Sequence, residues 1–324
     1  MPLKVFVAGG TGVLGRASLP ALVAAGHSVR ATARGREKAE LVRSLGGEPV
    51  ECDLYDLASM RQAIAGSDVL IRLTTRIPSL AKVRDPKVWA ETNRLRTEGA
   101  RVLVDAAISE GVPTYISESV TFVYADGGTR WLNEDSRIDD GGSEVLRADL
   151  AGEREEARFS EAGGRGIVLR FAGFYGADAP STHEAIAMAR RRLLFQIGPG
   201  TSYFSSIYVP DAGRAVAAAV MAPPGTYNVC DDRPVLFAEY LQALTTAIGA
   251  KKPLRMPGFL GKLMFGQVWG YFSRSQKVSN ARLKKLTGWQ PAVKSAWEGW
   301  PLVAGELAGA GKQASARDDK RSAA

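Results

Sequence analysis

The sequence predicts an α/β protein, a doubly wound parallel sheet with a smaller, mostly C-terminal lobe. Three observations predict it. The first 34 residues read as strand, glycine loop, helix and second strand. Short apolar strands then alternate with helical patterns as far as Phe174, and beyond it prolines break the chain into short elements.

In the opening unit, Val5, Phe6 and Val7 form an apolar strand, followed by the loop Gly9-Gly10-Thr11-Gly12-Val13-Leu14-Gly15. A helix from Arg16 to Ala25 stops at Gly26, and a second strand runs to Arg34. Further strands are expected at Pro49 to Cys52, Val69 to Leu73, Thr114 to Ser117 and Gly166 to Arg170. Parallel neighbours need crossovers, and the long helical pattern Trp89 to Glu110, with Leu95, Gly99, Val102, Leu103 and Ala106 on one face, supplies one. The expected division is residues 1–172 for the sheet domain and 173–305 for the smaller lobe, with some segments returning to the sheet. Residues 306–324 carry few large apolar side chains and read as a disordered tail.

Of 324 residues, 45% are hydrophobic and 23% charged, which excludes disorder and collagen but no globular class. Cys52 and Cys230 are too few for a disulfide framework, so a reducing, cytoplasmic setting is the default. His27 and His183 are the only histidines, too few for a zinc centre to be expected, and no metal site is read from the sequence. The N-terminus lacks the pattern of a signal peptide, and no apolar run reaches the ~20 residues that span a bilayer. The aromatic segment Met256 to Phe272 reads as an amphipathic helix packed in the smaller lobe; lying on a membrane surface or lining an apolar pocket are the alternatives. Net charge is +8, but the bases are dispersed. The one dense run, Arg190-Arg191-Arg192, reads as a helix C-terminal cluster, so no nucleic-acid partner is expected.

Gly9, Gly12 and Gly15 answer a packing problem: a tight turn, a backbone close to a pyrophosphate, and a helix laid against a strand. This spacing, with Gly10-Thr11 inside it, resembles the Rossmann-type extended and atypical short-chain dehydrogenase/reductase superfamily, in its NAD-dependent epimerase/dehydratase branch. Cys52-Asp53-Leu54, Ile71-Arg72-Leu73-Thr74-Thr75, Phe174-Tyr175-Gly176, Ile207-Tyr208-Val209-Pro210-Asp211 and Gly288-Trp289 match family segments in order. The resemblance implies that Asp53 and Leu54 meet the adenine and that Leu73, Thr74 and Thr75 flank the nicotinamide ribose. It also implies a small-molecule substrate held in the smaller lobe, and a homodimer. Where an NAD enzyme places an acid after the second strand, Ala33 stands here, followed by Arg34 with Lys38 nearby. A guanidinium suits a 2′-phosphate, which favours NADP(H) over NAD(H).

Family members use a Ser or Thr, a Tyr, and a Lys four residues after the Tyr. Thr121 falls at the first place, but no Tyr or Lys occurs from Glu134 to Phe159. Aligning Leu150 to Arg154 with the family helix puts Val145 at the Tyr position and Asp149 at the Lys position. Val cannot exchange a proton, and Asp disfavours a phenolate. Three readings stay open: an oxidoreductase or epimerase/dehydratase-like enzyme with another acid/base set, a non-catalytic NADP-binding sensor or assembly factor, and a redox-neutral lyase or cyclase. Tyr124, Tyr175, Asp149, Glu118 and His183 are the substitute candidates. A packed tyrosine ring is the competing reading for Tyr124 and Tyr175, and membership of an exposed charged helix face is the competing reading for Asp149.

Overall fold

The computed structural model describes all residues except 80, 267, 268, 270–272, 323 and 324, and describes no side chains at 262 or 311–322. Strands β1 (Lys4–Ala8), β2 (Ser28–Thr32), β3 (Glu48–Val50), β4 (Val69–Arg72) and β5 (Thr114–Val120) come first. After β6 (Trp131–Leu132) come β7 (Arg165–Phe171), β8 (Gly173–Tyr175), β9 (Phe195–Ile197), β10 (Tyr203–Phe204) and β11 (Ser206–Tyr208). The last are β12 (Gly225–Val229), β13 (Val235–Leu236), β14 (Leu254–Met256) and β15 (Lys277–Val278). Seven of them form one sheet in the order β12-β7-β5-β4-β1-β2-β3, every neighbour parallel. The chain reverses its direction of growth between β1 and β4, and an open sheet of this kind offers its ligand crevice at that switch point.

Side-chain alternation divides the sheet's contacts into two cores. Val5, Val7 and Ile71 pack with Leu19 and Leu22 of α1 (Val13–Ala24), Val42 of α2 (Arg36–Ser44) and Val216 of a later helix. Phe6, Ala8 and Leu70 pack with α3 (Leu57–Ile64), whose first turn is capped by Asp56 accepting from the Ser59 N–H. Because both faces are covered, β4 is buried at all four positions, which is why it reads as an unbroken apolar run interrupted only by Arg72. The predicted helix over 89–110 is α4 (Ala90–Arg94) and α5 (Ala100–Ser109), joined by a π-helical turn at Leu95–Gly99. Turns of this kind are frequent at functional sites.

Helix α6 (Glu144–Glu161) follows, capped by Ser143, and then α7 (Pro180–Arg190), α8 (Val209–Ala219), α9 (Phe237–Ala247), α10 (Phe259–Phe265), α11 (Ala281–Thr287) and α12 (Ala296–Ser322). A Cβ at Gly213 would lie 2.3 Å from the Ala17 carbonyl oxygen, so glycine lets α8 close onto α1. The smaller lobe has its own core of Tyr175, Ile186, Tyr208, Leu244, Trp300 and Val303. β12 returns from it to the main sheet.

Helix α12 runs through residue 306 to Ser322, over most of the segment that the sequence marks as a tail. Glu306 accepts a hydrogen bond from the Tyr208 hydroxyl and Leu307 packs on the lobe's core. The physical reason is that Ala, Lys, Gln and Arg are strong helix formers that continue a helix already nucleated by packing. Part of the aromatic segment 256–272, including Val268, Tyr271 and Phe272, lies outside the described residues.

Candidate active site

The glycine loop spans the switch point. Gly9 has φ +97°, and a Cβ on it would lie 2.6 Å from the Leu73 carbonyl oxygen; one on Gly15 would lie 2.3 Å from that of Gly9. These two glycines are fixed by close backbone packing. Gly12 differs, because an added Cβ would meet only the Gly9 oxygen, at 3.4 Å, leaving the space in front of the α1 start open to a ligand. Helix α1 begins there with no side-chain cap and no acid in its first turn, so the N–H groups of Val13, Leu14 and Gly15 face the opening. Gly9 N donates to Thr32 Oγ1 at 2.9 Å and Leu73 N to the Ala8 oxygen at 2.8 Å, tying β1, β2 and β4 around the loop. Just past β4, Thr74 Oγ1 and Thr75 Oγ1 are buried without a hydrogen-bond partner. An open helix start beside two buried, unpartnered hydroxyls fits the needs of a dinucleotide, which carries a pyrophosphate and several hydroxyl groups.

At the far end of β2, Arg34 and Lys38 are both exposed, whereas Arg36 is engaged with Glu40 at 2.8 Å. The Asp53 carboxylate accepts from Tyr55 N at 3.0 Å, in a turn that follows β3. Burial pushes the neighbouring Cys52 thiol up to about 11, against the pull of Arg34.

At the other side of the switch point lies the region expected to hold the proton-transfer groups. Val145 is buried in an apolar cluster with Val83 and Trp89, with Phe265 of α10 packed against it. Asp149, one turn on, is buried and pairs with Arg96: Oδ1 lies 2.9 Å from Nε, and Oδ2 accepts from Nη1 at 3.1 Å. Arg96 comes from the π-helical turn and also lies 3.7 Å from Glu118 of β5. Arg72 Nη2 donates to the Glu118 carbonyl at 2.7 Å, and the guanidinium rests against Gly152, where a Cβ would come within 2.9 Å of Nη2. Burial pushes Asp149 up to about 7; Arg96 opposes that shift and Glu118 adds to it. Next to this set, Arg170 donates to Glu153 at 2.8 and 2.6 Å, and Ser119 Oγ donates to Glu153 at 2.6 Å.

Thr121 is buried at the end of β5. Tyr124 is fully buried; its hydroxyl donates to Asn228 Oδ1 at 2.7 Å and accepts from Arg170 Nη1 at 3.0 Å. Tyr175 is also fully buried, in the smaller lobe. It stacks on Trp300 with centroids 5.5 Å apart, and its hydroxyl donates to Asp231 at 3.0 Å. His183 is exposed, with Nε2 2.6 Å from the Ala177 oxygen. The fold thus gathers Gly9 to Gly15 with Leu73 to Thr75, and Glu118 with Asp149; Tyr175 packs in the core of the smaller lobe, and His183 bonds the Ala177 carbonyl next to Asp178, whose carbonyl accepts from Arg16 of α1. Arg72 and Arg96 were missed by sequence reasoning. The available signal was an arginine inside each of two otherwise core-forming patterns.

An uncapped helix start at the switch point of a seven-stranded parallel sheet is the arrangement of a dinucleotide-binding α/β fold. The family comparison agrees. Residues 5–230 match the model of the NAD dependent epimerase/dehydratase family, and the chain belongs to that family. It is 30% identical over 307 residues to a 3-diazoavenalumate denitrifying reductase of a Streptomyces species, covering 90% of this chain and 97% of the relative. It is 28% identical over 260 residues to a 4-hydroxy-2-methyl-3-oxo-4-farnesyl-3,4-dihydroquinoline-1-oxide ketoreductase of Stigmatella aurantiaca, covering 77% and 74%. A human epimerase family protein solved with NADPH shares the fold at a TM-score of 0.78 and 21% identity, over 94% of this chain and 100% of that one.

Proposed function

We propose that this protein is an NADPH-dependent reductase that directs hydride to its substrate without a tyrosine–lysine pair. The observation that carries the reading is the fate of the two positions: Val145 is sealed in an apolar cluster and Asp149 is committed to Arg96. When bound, NADPH supplies the hydride. The chain's own residues bind and orient: the α1 N-terminus holds the pyrophosphate, Thr74 and Thr75 take ribose hydroxyls, and Arg34 with Lys38 meets the 2′-phosphate.

The remaining task is to exclude water and position the acceptor. Val83, Trp89 and Val145, with Phe265 packed on them, form a buried apolar cluster behind the expected proton-transfer position, a surrounding that suits an aromatic or otherwise lipophilic substrate. With no phenol to protonate an oxygen, the site suits an acceptor carbon whose own leaving group departs as the hydride arrives. An arenediazonium carbon is one: the C–H bond forms, the C–N bond breaks, and dinitrogen leaves with the bonding pair. The printed name of the Streptomyces relative, a denitrifying reductase of a diazo compound, supports this class.

The test is to supply NADPH deuterated at C4 together with an arenediazonium salt or diazo-phenol, following cofactor absorbance and product mass. Deuterium in the product carries the reading. NADPH that binds but is not consumed with diazo or ketone acceptors contradicts it and favours a nucleotide sensor.

A further inference from the structure

Two acid-free stretches of this chain meet in space. Residues 185–210 contain Arg190, Arg191 and Arg192 and no Asp or Glu, and residues 240–297 contain many Lys and Arg and no Asp or Glu. Their strands β9 and β14 pair in parallel, Leu254 opposite Phe195 and Met256 opposite Ile197. Arg190 to Arg192 lead into β9 as Lys251 and Lys252 lead into β14, so their charges converge at one end of a two-stranded ribbon. All five, and Arg255 within β14, are exposed, and none is ion-paired among the described residues.

Large apolar side chains are exposed on the same excursion. Leu193 and Leu254 flank the ribbon, and α10 starts three residues after β14, pinned where Gly258 Cα approaches Gly198. On α10, Phe259 is 78% exposed and Leu263, one turn on, is 58% exposed. Phe265 turns the other way, against the Val145 cluster. The helix therefore has two apolar faces, one toward the candidate site and one toward solvent. An exposed apolar face rimmed by cations and lacking acids matches the chemistry of a bilayer with anionic headgroups, where the hydrophobic residues enter the interface and each base gains from the surface potential. A nucleic acid would use the charges and leave Phe259 and Leu263 without purpose. No helix among the described residues is long and apolar enough to cross a membrane, so the contact would lie on the surface.

We propose that the β9–β14 ribbon and the outer face of α10 dock this protein on an anionic lipid bilayer. Docking there brings the buried Val145 cluster, through Phe265 of α10, next to the lipid phase.

The experiment is vesicle flotation of the full chain with phosphatidylcholine alone and with phosphatidylcholine containing phosphatidylglycerol. Two variants accompany it: Lys251→Gln with Lys252→Gln and Arg255→Gln, and Phe259→Ser with Leu263→Ser. Thermal melting confirms that each is folded. The wild type is expected to float with the anionic vesicles only. The charge variant should lose roughly 100-fold in partitioning, the worth of three surface bases. The apolar variant should lose about tenfold or more. Failure to float with phosphatidylglycerol vesicles overturns the proposal. So does flotation that the apolar variant leaves unchanged, because that is attraction to any polyanion.

Discussion

Asp149 and Arg96, 53 residues apart in sequence, meet in the interior through two contacts of 2.9 and 3.1 Å, with both side chains almost wholly buried. By the family alignment, this places a carboxyl paired with an arginine where a lysine is expected. The pair also holds α6 against the π-helical turn that opens α5.

Removing one partner of such a pair strands the other's charge. Asp149→Ala is expected to cost about 3–5 kcal/mol of stability, seen as a lower urea midpoint. Installing the family pair, Val145→Tyr with Asp149→Lys, should destabilise further, because the new ammonium faces Arg96 and the ring overfills the Val83 and Trp89 cluster. A stable, more active double variant would contradict this account of the site.

The two buried tyrosines are expected to behave as core groups. Tyr124→Phe leaves Asn228 and Arg170 each short of a partner and should cost about 1–3 kcal/mol, with kcat within a few-fold of wild type. Tyr175→Phe should do the same through Asp231, which loses one donor and keeps Ser206. A proton donor would instead lose about 100-fold or more in kcat, so steady-state rates of the two variants decide.

Asp231 gives the fold a pH dependence. It accepts from Tyr175, Ser206 and Tyr208 N, yet burial dominates and pushes its carboxyl from 3.8 up to about 7. A carboxyl raised in this way is held as the acid in the native state and ionises first in the unfolded chain. Its contribution is therefore full below pH 4 and is lost as pH climbs to about 7. Urea midpoints from pH 4 to pH 8 should fall more steeply for the wild type than for Asp231→Asn, with the extra fall confined to the range below about pH 7. Equal slopes would show that Asp231 is ionised in the fold at all these pH values.

Elements whose signal is local were legible in the sequence. The loop from Gly9 to Gly15 and the strand at Val69 each announce themselves within a few residues. Asp149 shows where that stops. Its neighbours Arg147, Glu153, Arg154, Glu155 and Arg158 suggest a solvated face, yet Val145, Leu146, Ala148 and Gly152 place it on the buried one. Its helical phase held that information, but the partner that makes the burial tolerable is Arg96, which only tertiary structure brings near. Composition likewise reports what a segment cannot bury, and not that α12 is anchored by Trp300, Val303 and Leu307.

The most direct test of the account is a fluorescence titration of the protein with NADPH and NADH, in the wild type and in Arg34→Ala. The account predicts micromolar NADPH binding, weaker NADH binding, and a loss of about tenfold for NADPH alone in Arg34→Ala, the worth of one charge-assisted contact. Binding of neither dinucleotide, or NADH binding as tight as NADPH and unaffected by Arg34→Ala, would contradict it.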